Sequence, residues 1–459
     1  MSATRVLIVS HDMVGERMAG PGIRYWELAR VLADHCAVTL AVPGQTTLHA
    51  EGFDLRTYPP RGWATILAMA RHADVVMPGG FVLHHAPQLA SLDCAIVIDG
   101  YDPYPAEVLS LTRRAGDEER AGYERYLLEQ VRTDCTLGDF YLCASERQRY
   151  WWLGLLAAHG RLNARTYGAD PSLRSLVDVV PYGCPPEAMY HERRVLKGAA
   201  PGIGPQDRVL LWGGGIWDWL DPLTLLRAVA LLVPGHPELR LVFPGTRHPS
   251  SDVPDMPMRR RAMDLAAELG LLDRHVFFGD WVPYADWPNY LLEADAGVSL
   301  HFDSLETQLA FRTRILDYVR AELPMIVTRG DALGEMVASY GLGVVVDYED
   351  VDGVALGISA LLDEPREARH EQFMAAQAAL RWERVAEPLI RFCRSPQRAA
   401  DRPAGWPGTT PADPSCLAEQ VERQATEIEQ LRALVRGYEQ GKLIRFMHKV
   451  RRWRSKVSP

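Results

Sequence analysis

Short apolar runs alternate with longer amphipathic stretches along most of the chain. Each run ends in glycine or a polar turn. Because strands that are buried on both faces appear as continuous apolar runs, this pattern predicts parallel sheets with helical crossovers. The predicted strands lie at 6–10, 36–42, 75–80, 94–100, 140–145 and 177–183, and then at 209–214, 239–245, 275–280, 296–302 and 325–328.

The pattern predicts two such units in succession. A Gly- and Pro-rich stretch at 196–207 interrupts the alternation, which restarts after it, so this stretch is interpreted as an interdomain linker. The chain of 459 residues also exceeds the roughly 250–300 at which a single core stops growing. We therefore expect an α/β fold with two doubly wound domains, 1–195 and 208–380, that face each other across a cleft.

The last part of the chain is predicted to be a helical tail. A helix is expected at 381–395, and the Pro, Ser and Asp content at 396–415 favours a flexible linker. At 416–440 seven residues, apolar except for Gln424, recur at alternating steps of four and three, which favours a short coiled coil and a homodimer. A solvated helix packed on the body is the alternative for this segment.

The final segment, 441–459, is predicted to be a basic amphipathic helix. From Lys442 to Lys456 there are seven Lys or Arg and no acid, and Phe446 and Trp453 share an apolar face. Helices of this kind bind anionic membrane surfaces. A disordered basic tail is the alternative.

The composition of the chain indicates its cellular compartment and excludes some classes of partner. The seven cysteines form no CxxC pair, which favours reduced thiols over a disulfide framework or a zinc site. No run approaches the ~18 apolar residues of a membrane-spanning helix, and the N-terminus is typical of a first strand rather than a signal peptide. With a net charge of −9, nucleic acid is not expected as a partner. We expect a cytoplasmic protein located peripherally at the inner face of the cell membrane.

Two glycine-bearing loops, each between a strand and a helix, are candidate ligand-binding loops. The first contains Gly20 and Gly22, and the second contains Gly214 and Gly215 with Trp217 close by. Glycines at such positions let backbone N–H groups and a helix N-terminus approach an anion, and tryptophan stacks on a base or a sugar. A tight turn and core packing are the alternatives.

The stretch 302–331 concentrates polar groups beside apolar ones. Its loop and first helical turn carry Glu306, Thr307, Arg312, Arg314 and Asp317. Charges next to a packed face are costly unless they pair with each other or with a polyanionic, hydroxyl-rich ligand. The pattern therefore predicts a ligand-binding wall, with a salt-bridged helix start as the alternative.

Two carboxylates follow a predicted strand of the first domain. Asp99 and Asp102 stand in the sequence DGYD, at a strand end where ligands gather in parallel sheets. No third ligand accompanies them, so a metal site is not expected. His11 and His301 also end strands, and for both a packing role is the more common one.

Several segments carry a resemblance to a known family. The chain resembles the GT-B glycosyltransferases, and most closely the retaining family four, over residues 5–395. The resemblance rests on the N-terminal glycine loop, on VVPYG (179–183), LLWGGG (210–215) and FPG (243–245), and on the long segment 269–300 with the stretch that follows it. It implies two Rossmann-like domains, the first binding the acceptor and the second the donor, with 381–395 crossing back to the first domain.

The chain departs from the family pattern at the donor motif. Two glutamates separated by seven residues bracket the donor site in the family; here the second position is Asp317 and the first is Leu309, with Glu306 as the nearest acid. The usual Arg and Lys for the diphosphate are also missing, and Arg312 and Arg314 are the nearest replacements. The glycine loop at Gly20 to Gly22 would close over the diphosphate.

The resemblance implies roles for these residues and a reaction. Asp317 would bind the ribose, Glu306 and Thr307 the donor sugar, and Asp99 or Asp102 would orient the acceptor. The reaction implied is transfer of a sugar from a nucleotide-sugar donor to a glycan or glycolipid hydroxyl, with retention and without a metal or cofactor, in surface polysaccharide or lipid-linked glycan synthesis. The alternative is a non-catalytic GT-B subunit that scaffolds a glycan-assembly complex.

Overall fold

Two parallel sheets form the body of the protein, as the apolar pattern predicts. A computed structural model describes residues 3–15, 18–112, 116–246 and 256–402, apart from the side chain of Tyr284. The first sheet has seven strands in the order β3-β2-β1-β4-β5-β6-β7. They are β1 Arg5–Val9, β2 Ala37–Pro43, β3 Asp54–Tyr58, β4 Val75–Pro78, β5 Ala95–Asp99, β6 Phe140–Cys143 and β7 Val177–Val179.

The second sheet has six parallel strands in the order β10-β9-β8-β11-β12-β13. They are β8 Arg208–Trp212, β9 Leu239–Phe243, β10 Val276–Phe278, β11 Ala296–Ser299, β12 Met325–Thr328 and β13 Gly343–Val346. Central strands such as β4, β6 and β12 are buried along their whole length, which explains their continuous apolar sequences. The edge strand β3 is largely exposed, so no apolar run reveals it.

Helices cover both sheets. Those of the first domain are α1 Gly20–Ala33, α2 Trp63–Ala70, α3 Val82–His85, α4 Tyr104–Leu111, α5 Asp117–Leu137, α6 Glu146–Ala158 and α7 Ala164–Ala169. The later ones are α8 Pro222–Leu232, α9 Pro257–Glu268, α10 Trp287–Glu293, α11 Leu305–Leu309, α12 Thr313–Arg320, α13 Ala332–Tyr340, α14 Val351–Asp363, α15 His370–Ala379, α16 Trp382–Val385 and α17 Glu387–Arg394. No helix in the described part of the chain is long and apolar enough to cross a membrane.

The last helix returns to the first domain. In α17, Phe392 stacks on Phe140 of β6 with ring centroids 4.6 Å apart. Arg394 lies 3.0 Å from the Nδ1 atom of His35, which follows α1. These contacts connect the end of the second domain to the first sheet.

The segment after α17 begins differently from the predicted flexible linker. Its described part, 396–402, packs on the first domain: Asp401 accepts two hydrogen bonds from Arg161, and Arg402 donates to Asp139. These ion pairs are almost completely buried, so the prediction was wrong for these residues. The rest of the predicted linker, the coiled coil at 416–440 and the basic helix at 441–459 lie outside the described residues.

Candidate functional site

A cleft of about 840 Å³ lies between the carboxyl ends of the two sheets. The location follows from the topology, because ligands of open parallel sheets bind beyond the carboxyl ends of the strands. Both domains contribute to its lining. The first domain supplies Asp12, Gly20, Tyr101, Asp102, Glu107 and Tyr182, and the second supplies Gly213, Gly214, Gly215, Trp217, Thr246, Trp281, Trp287, Arg312, Arg314, Asp317 and Arg320, among others.

The second glycine loop forms one wall of the cleft. It follows β8, and Gly214 has a φ of +79°, a conformation that side chains rarely adopt. The Gly213 N–H donates to the hydroxyl of Tyr318 over 2.7 Å, which fixes the loop against α12. Trp217 lines the cleft and stacks on Trp219, with ring centroids 5.2 Å apart.

The two glycines of the first glycine loop have different roles: one lines the cleft, and the other packs inside the loop. Gly20 opens α1 and lines the cleft, whereas Gly22 is not in the lining. A Cβ atom on Gly22 would lie 2.4 Å from the carbonyl oxygen of Met13. Gly22 therefore lets the loop pack against the start of α1, which corrects its predicted contact with the ligand.

Arg312 is held by buried carboxylates. Where a loop and one helix were predicted, the structure has two short helices, α11 and α12, with a break at 310–312 between them, so Arg312 precedes α12 and projects towards α11. Its guanidinium donates to both oxygens of Glu306 over 2.8 and 2.6 Å, and its Nε atom lies 3.8 Å from Asp331. Arg312 forms part of the cleft lining, but its charge is neutralised by these partners.

This pairing corrects the predicted sugar contacts of Glu306 and Thr307. Glu306 is 1% exposed, with both oxygens occupied by Arg312. Thr307 is completely buried and donates its hydroxyl to the carbonyl oxygen of Phe302 over 2.7 Å. Neither residue is in the cleft lining. Both residues lie behind the cleft lining and stabilise the residues that form it. The sequence did not reveal this, because the position of the break between α11 and α12 was not predicted.

Arg314 has a different environment. It lies across the glycine loop, donates to the Gly215 carbonyl over 3.3 Å and sits 5.2 Å from the Trp212 ring centre. Within the described residues it forms no ion pair, and its Nη1 atom is buried without a hydrogen-bond partner. Burial lowers the pKa of Arg314 to about 10, so it remains a cation at neutral pH. A buried, unpaired guanidinium is costly until an anion joins it.

Asp317 lies one turn further along α12 and lines the cleft. One of its oxygens accepts a hydrogen bond from the indole N–H of Trp287 over 2.9 Å, which orients the carboxylate. Burial raises the pKa of Asp317. The structure therefore brings Asp317, Arg314 and the second glycine loop together in one wall of the cleft.

The opposite wall separates the two predicted acceptor carboxylates. Asp99 is buried, and its oxygens accept hydrogen bonds from Arg24 over 2.8 and 2.7 Å. Arg24 also donates to the backbone carbonyls of Val180 and Pro181, so this ion pair braces the sheet. Asp99 is therefore corrected from an acceptor contact to a structural partner; Arg24 lies 75 positions away, and no spacing rule would find it.

Asp102 faces the cleft together with a residue that sequence reasoning missed. It shares a hydrogen bond with Glu107 in α4, and both carboxyl groups line the cleft. Burial raises the pKa of Asp102 to about 6 and raises that of Glu107 well above its usual value. Burial and the neighbouring carboxyl group therefore both favour the protonated form in this pair. Glu107 gave no sequence signal because it occupies an ordinary helical position.

The two histidines lie outside the lining. His301 is 1% exposed, contacts the Arg329 carbonyl at 3.2 Å and has a pKa that burial lowers to about 3. His11 is adjacent to Asp12 and contacts Tyr25 and Phe81. In the described part of the chain, no group of three or more His, Cys, Asp or Glu is arranged to hold a metal ion.

Comparisons with known proteins agree with this architecture. A family model described as glycosyl transferases group 1 matches residues 206–378. No curated protein sequence matches the chain. Among solved structures, sucrose-phosphate synthase from Thermosynechococcus elongatus is 17% identical, with a TM-score of 0.58 over 85% of this chain and 98% of that one.

Two further solved structures are similar over most of their length. Anabaena HepE in complex with UDP and glucose is 13% identical, with a TM-score of 0.61 over 85% of this chain and 99% of that one. WaaG, a glycosyltransferase involved in lipopolysaccharide biosynthesis, is 16% identical, with a TM-score of 0.56 over 85% and 100%. The chain thus has the GT-B fold, and its second domain matches the model of the glycosyl transferases group 1 family.

Proposed function

We propose that this protein transfers a sugar from a nucleotide-sugar donor to a hydroxyl group of a glycan or glycolipid, with retention at the anomeric carbon. One observation carries the proposal: Arg314 has a buried guanidinium nitrogen, Nη1, and no carboxylate partner among the described residues, and it lies over the Gly214–Gly215 loop in the interdomain cleft. A diphosphate would satisfy the guanidinium and the backbone N–H groups of this loop together.

The remaining groups on this wall fit the other parts of a nucleotide. Asp317, oriented by Trp287, is placed to accept hydrogen bonds from ribose hydroxyls. Thr246 and Trp281 line the cleft beyond the glycine loop and offer a surface for the base. Since the similar HepE structure contains UDP, uracil is the first base to test, with UDP-sugars as the donors.

In the proposed reaction, the acceptor oxygen bonds to the anomeric carbon while the bond from that carbon to the β-phosphate oxygen breaks. The acceptor proton moves to the departing phosphate oxygen. Negative charge grows on the diphosphate as the bond breaks, and a fixed cation at that point stabilises the transition state. Arg314 supplies this charge, so the proposal requires neither a metal nor a cofactor.

The acceptor is proposed to enter from the side of Asp102 and Glu107. A carboxyl pair that holds one proton both donates and accepts hydrogen bonds, and thereby orients a sugar hydroxyl without acting as a strong base. The proposed context remains surface polysaccharide or lipid-linked glycan synthesis at the cytoplasmic face of the membrane. The predicted tail at 441–459 would supply the membrane contact.

The test is release of nucleoside diphosphate from UDP-, GDP-, ADP- and dTDP-sugars, preceded by a thermal-shift screen of the same compounds. We expect one donor class to raise the melting temperature by mass action and to be hydrolysed slowly without an acceptor. Absence of both effects for all four classes would contradict the proposal.

A non-catalytic GT-B subunit is the second candidate. It is favoured by one observation, the engagement of Glu306 by Arg312, which removes an acid from the position where the family binds the donor sugar. Such a subunit would bind no donor, or would bind one without turnover. The same nucleotide-release assay therefore separates the two functions.

A further inference from the structure

Six aromatic or imidazole rings form a continuous cluster beside the cleft, and we call this cluster the ring platform. It comes from segments at the carboxyl ends of β1, β3 and β4 and from α5, at the same edge of the first sheet as the cleft. None of the six residues belongs to the described cleft lining. Its members are His11, Trp63, Phe81, His84, His85 and Tyr126.

The rings contact one another in sequence. Trp63 stacks on His85 with centroids 5.2 Å apart and an interplanar angle of 14°. Phe81 meets His85 edge-on at 5.6 Å, and Tyr126 meets His84 at 4.9 Å. The Tyr126 hydroxyl lies 3.2 Å from the Nε2 atom of His85. These contacts fix the orientation of the ring faces.

Several of the rings remain open to solvent. Phe81 is 38% exposed and Tyr126 is 37% exposed, and His85 is exposed as well. The Nδ1 atom of His84 is buried and has no hydrogen-bond partner in the described part of the chain. Rigid exposed rings accompanied by unused hydrogen-bonding atoms are typical of a binding surface rather than of a core.

The platform adjoins the cleft on the side of the first domain. His11 contacts Phe81 at 5.7 Å, and the next residue, Asp12, lines the cleft. The platform is therefore one residue along the chain from the cleft lining. The donor wall, with Arg314 and Asp317, lies on the other domain.

We propose that the ring platform binds the saccharide chain of the acceptor, at sugar units beyond the one that receives the new sugar. The inference rests on the proposed transferase function and assigns its acceptor class as an oligosaccharide or polysaccharide. A pyranose presents a face of C–H groups that packs flat on exposed rings, while its hydroxyls reach Tyr126 and the imidazoles at the edges.

The charge of the platform favours a saccharide over a membrane. Its six members contain no Lys, Arg, Asp or Glu, whereas binding to anionic lipid depends on clustered cations. Burial lowers the pKa of His85, with smaller contributions from His84 and Arg61, which favours the uncharged imidazole. A neutral surface of this kind suits an uncharged glycan.

The test is titration calorimetry of the full chain with glucan, mannan, galactan and rhamnan hexasaccharides and with the matching monosaccharides. We expect at least one hexasaccharide to bind more tightly than its monosaccharide. The Phe81→Ala, Tyr126→Ala double variant should bind it about tenfold more weakly, since two aromatic contacts are removed. Tyr150→Ala and Tyr167→Ala are matched controls because both tyrosines are exposed on the first domain, outside the platform, and both variants should bind as the wild type does.

Three results would overturn the inference: no hexasaccharide binds more tightly than its monosaccharide, the double variant binds as tightly as the wild type, or the double variant loses only binding to phosphatidylglycerol vesicles. If the double variant does not fold, Phe81→Leu keeps the apolar volume without the ring face and should give a smaller loss in the same direction. Failure of the transferase function would appear separately, as absence of nucleotide-sugar binding by the wild-type chain.

Discussion

Arg312 and Arg314 are two positions apart, yet they occupy opposite environments. Arg312 forms a bidentate ion pair with Glu306 and faces Asp331, and all three side chains are buried. Arg314 forms no ion pair in the described part of the chain and lies over the second glycine loop. Two identical side chains thus have different surroundings, because a break between two helices separates them: the first forms a buried ion pair, and the second is the one proposed to bind the donor.

The largest expected effect concerns stability. Arg312→Ala leaves Glu306 and Asp331 buried without their cation, and we expect it to lower the free energy of unfolding by about 3–5 kcal/mol. Urea unfolding measures this, and adding Glu306→Gln to the variant should recover part of the loss. Arg329→Ala, which breaks an exposed pair with Asp347, is the matched control and should change the free energy by less than ~1 kcal/mol. An Arg312→Ala protein as stable as this control would contradict the assignment.

The next effect concerns catalysis. Arg314→Ala removes the cation proposed to stabilise the departing diphosphate, and we expect kcat/KM for nucleotide release to fall about 100-fold. Its melting temperature should not fall, because an unpaired buried charge is removed. Arg314→Lys should restore part of the rate, since it restores charge without the bidentate geometry. If Arg314→Ala kept a rate close to that of the wild type, Arg314 would have no role in catalysis and would not differ from Arg312 in this respect.

A third effect concerns pH. Burial raises the pKa of Asp331 to about 6, so the folded state holds a proton that the unfolded chain loses near its ordinary value of 3.8. Stability from this group is therefore complete below about pH 4 and is lost as pH rises towards 6. Asp331→Asn removes this pH dependence. Between pH 4 and 6, the free energy of unfolding of the variant should therefore rise relative to that of the wild type, by up to about 1.4 kcal/mol per pH unit. Urea unfolding at pH 4, 5 and 6 measures the difference, and a constant difference would refute it.

The smallest effect concerns the ribose. Asp317→Ala removes a proposed hydrogen-bond acceptor, and we expect KM for the donor to rise about fivefold, equivalent to roughly 1 kcal/mol. Asp317→Asn keeps one acceptor oxygen and should lose less. Steady-state kinetics with the preferred donor provide the measurement, and unchanged KM values in both variants would remove Asp317 from the donor site.

Local sequence rules predicted much of the fold. Runs of buried strand residues revealed both sheets, and the order Asp221-Pro222 indicated the start of α8, where the Asp221 carboxylate accepts from the Thr224 N–H over 3.0 Å. The exposed edge strand β3 gave no such signal. Strands and helix starts can therefore be predicted where burial or capping constrains the residue types.

The site was less predictable because its contacts depend on side-chain direction and on distant partners. Arg312 and Arg314 were both predicted as phosphate ligands, but only the break before Thr313 turns the first of them towards Glu306. Asp99 was predicted to orient the acceptor, and its partner Arg24 comes from a helix early in the chain. Neither direction nor long-range pairing follows from spacing alone.

The role of Arg314 in diphosphate binding is tested most directly by the binding of a nucleoside and of its diphosphate to the wild type and to Arg314→Ala. Titration calorimetry measures the affinity for uridine and for UDP, or for the nucleoside and nucleoside diphosphate of the donor that the screen selects. The difference between the two affinities is the contribution of the diphosphate. We predict a large diphosphate increment in the wild type, a small one in Arg314→Ala, and similar nucleoside affinities in both. An equal diphosphate increment in the two proteins would show that Arg314 does not bind the phosphates and would contradict the account.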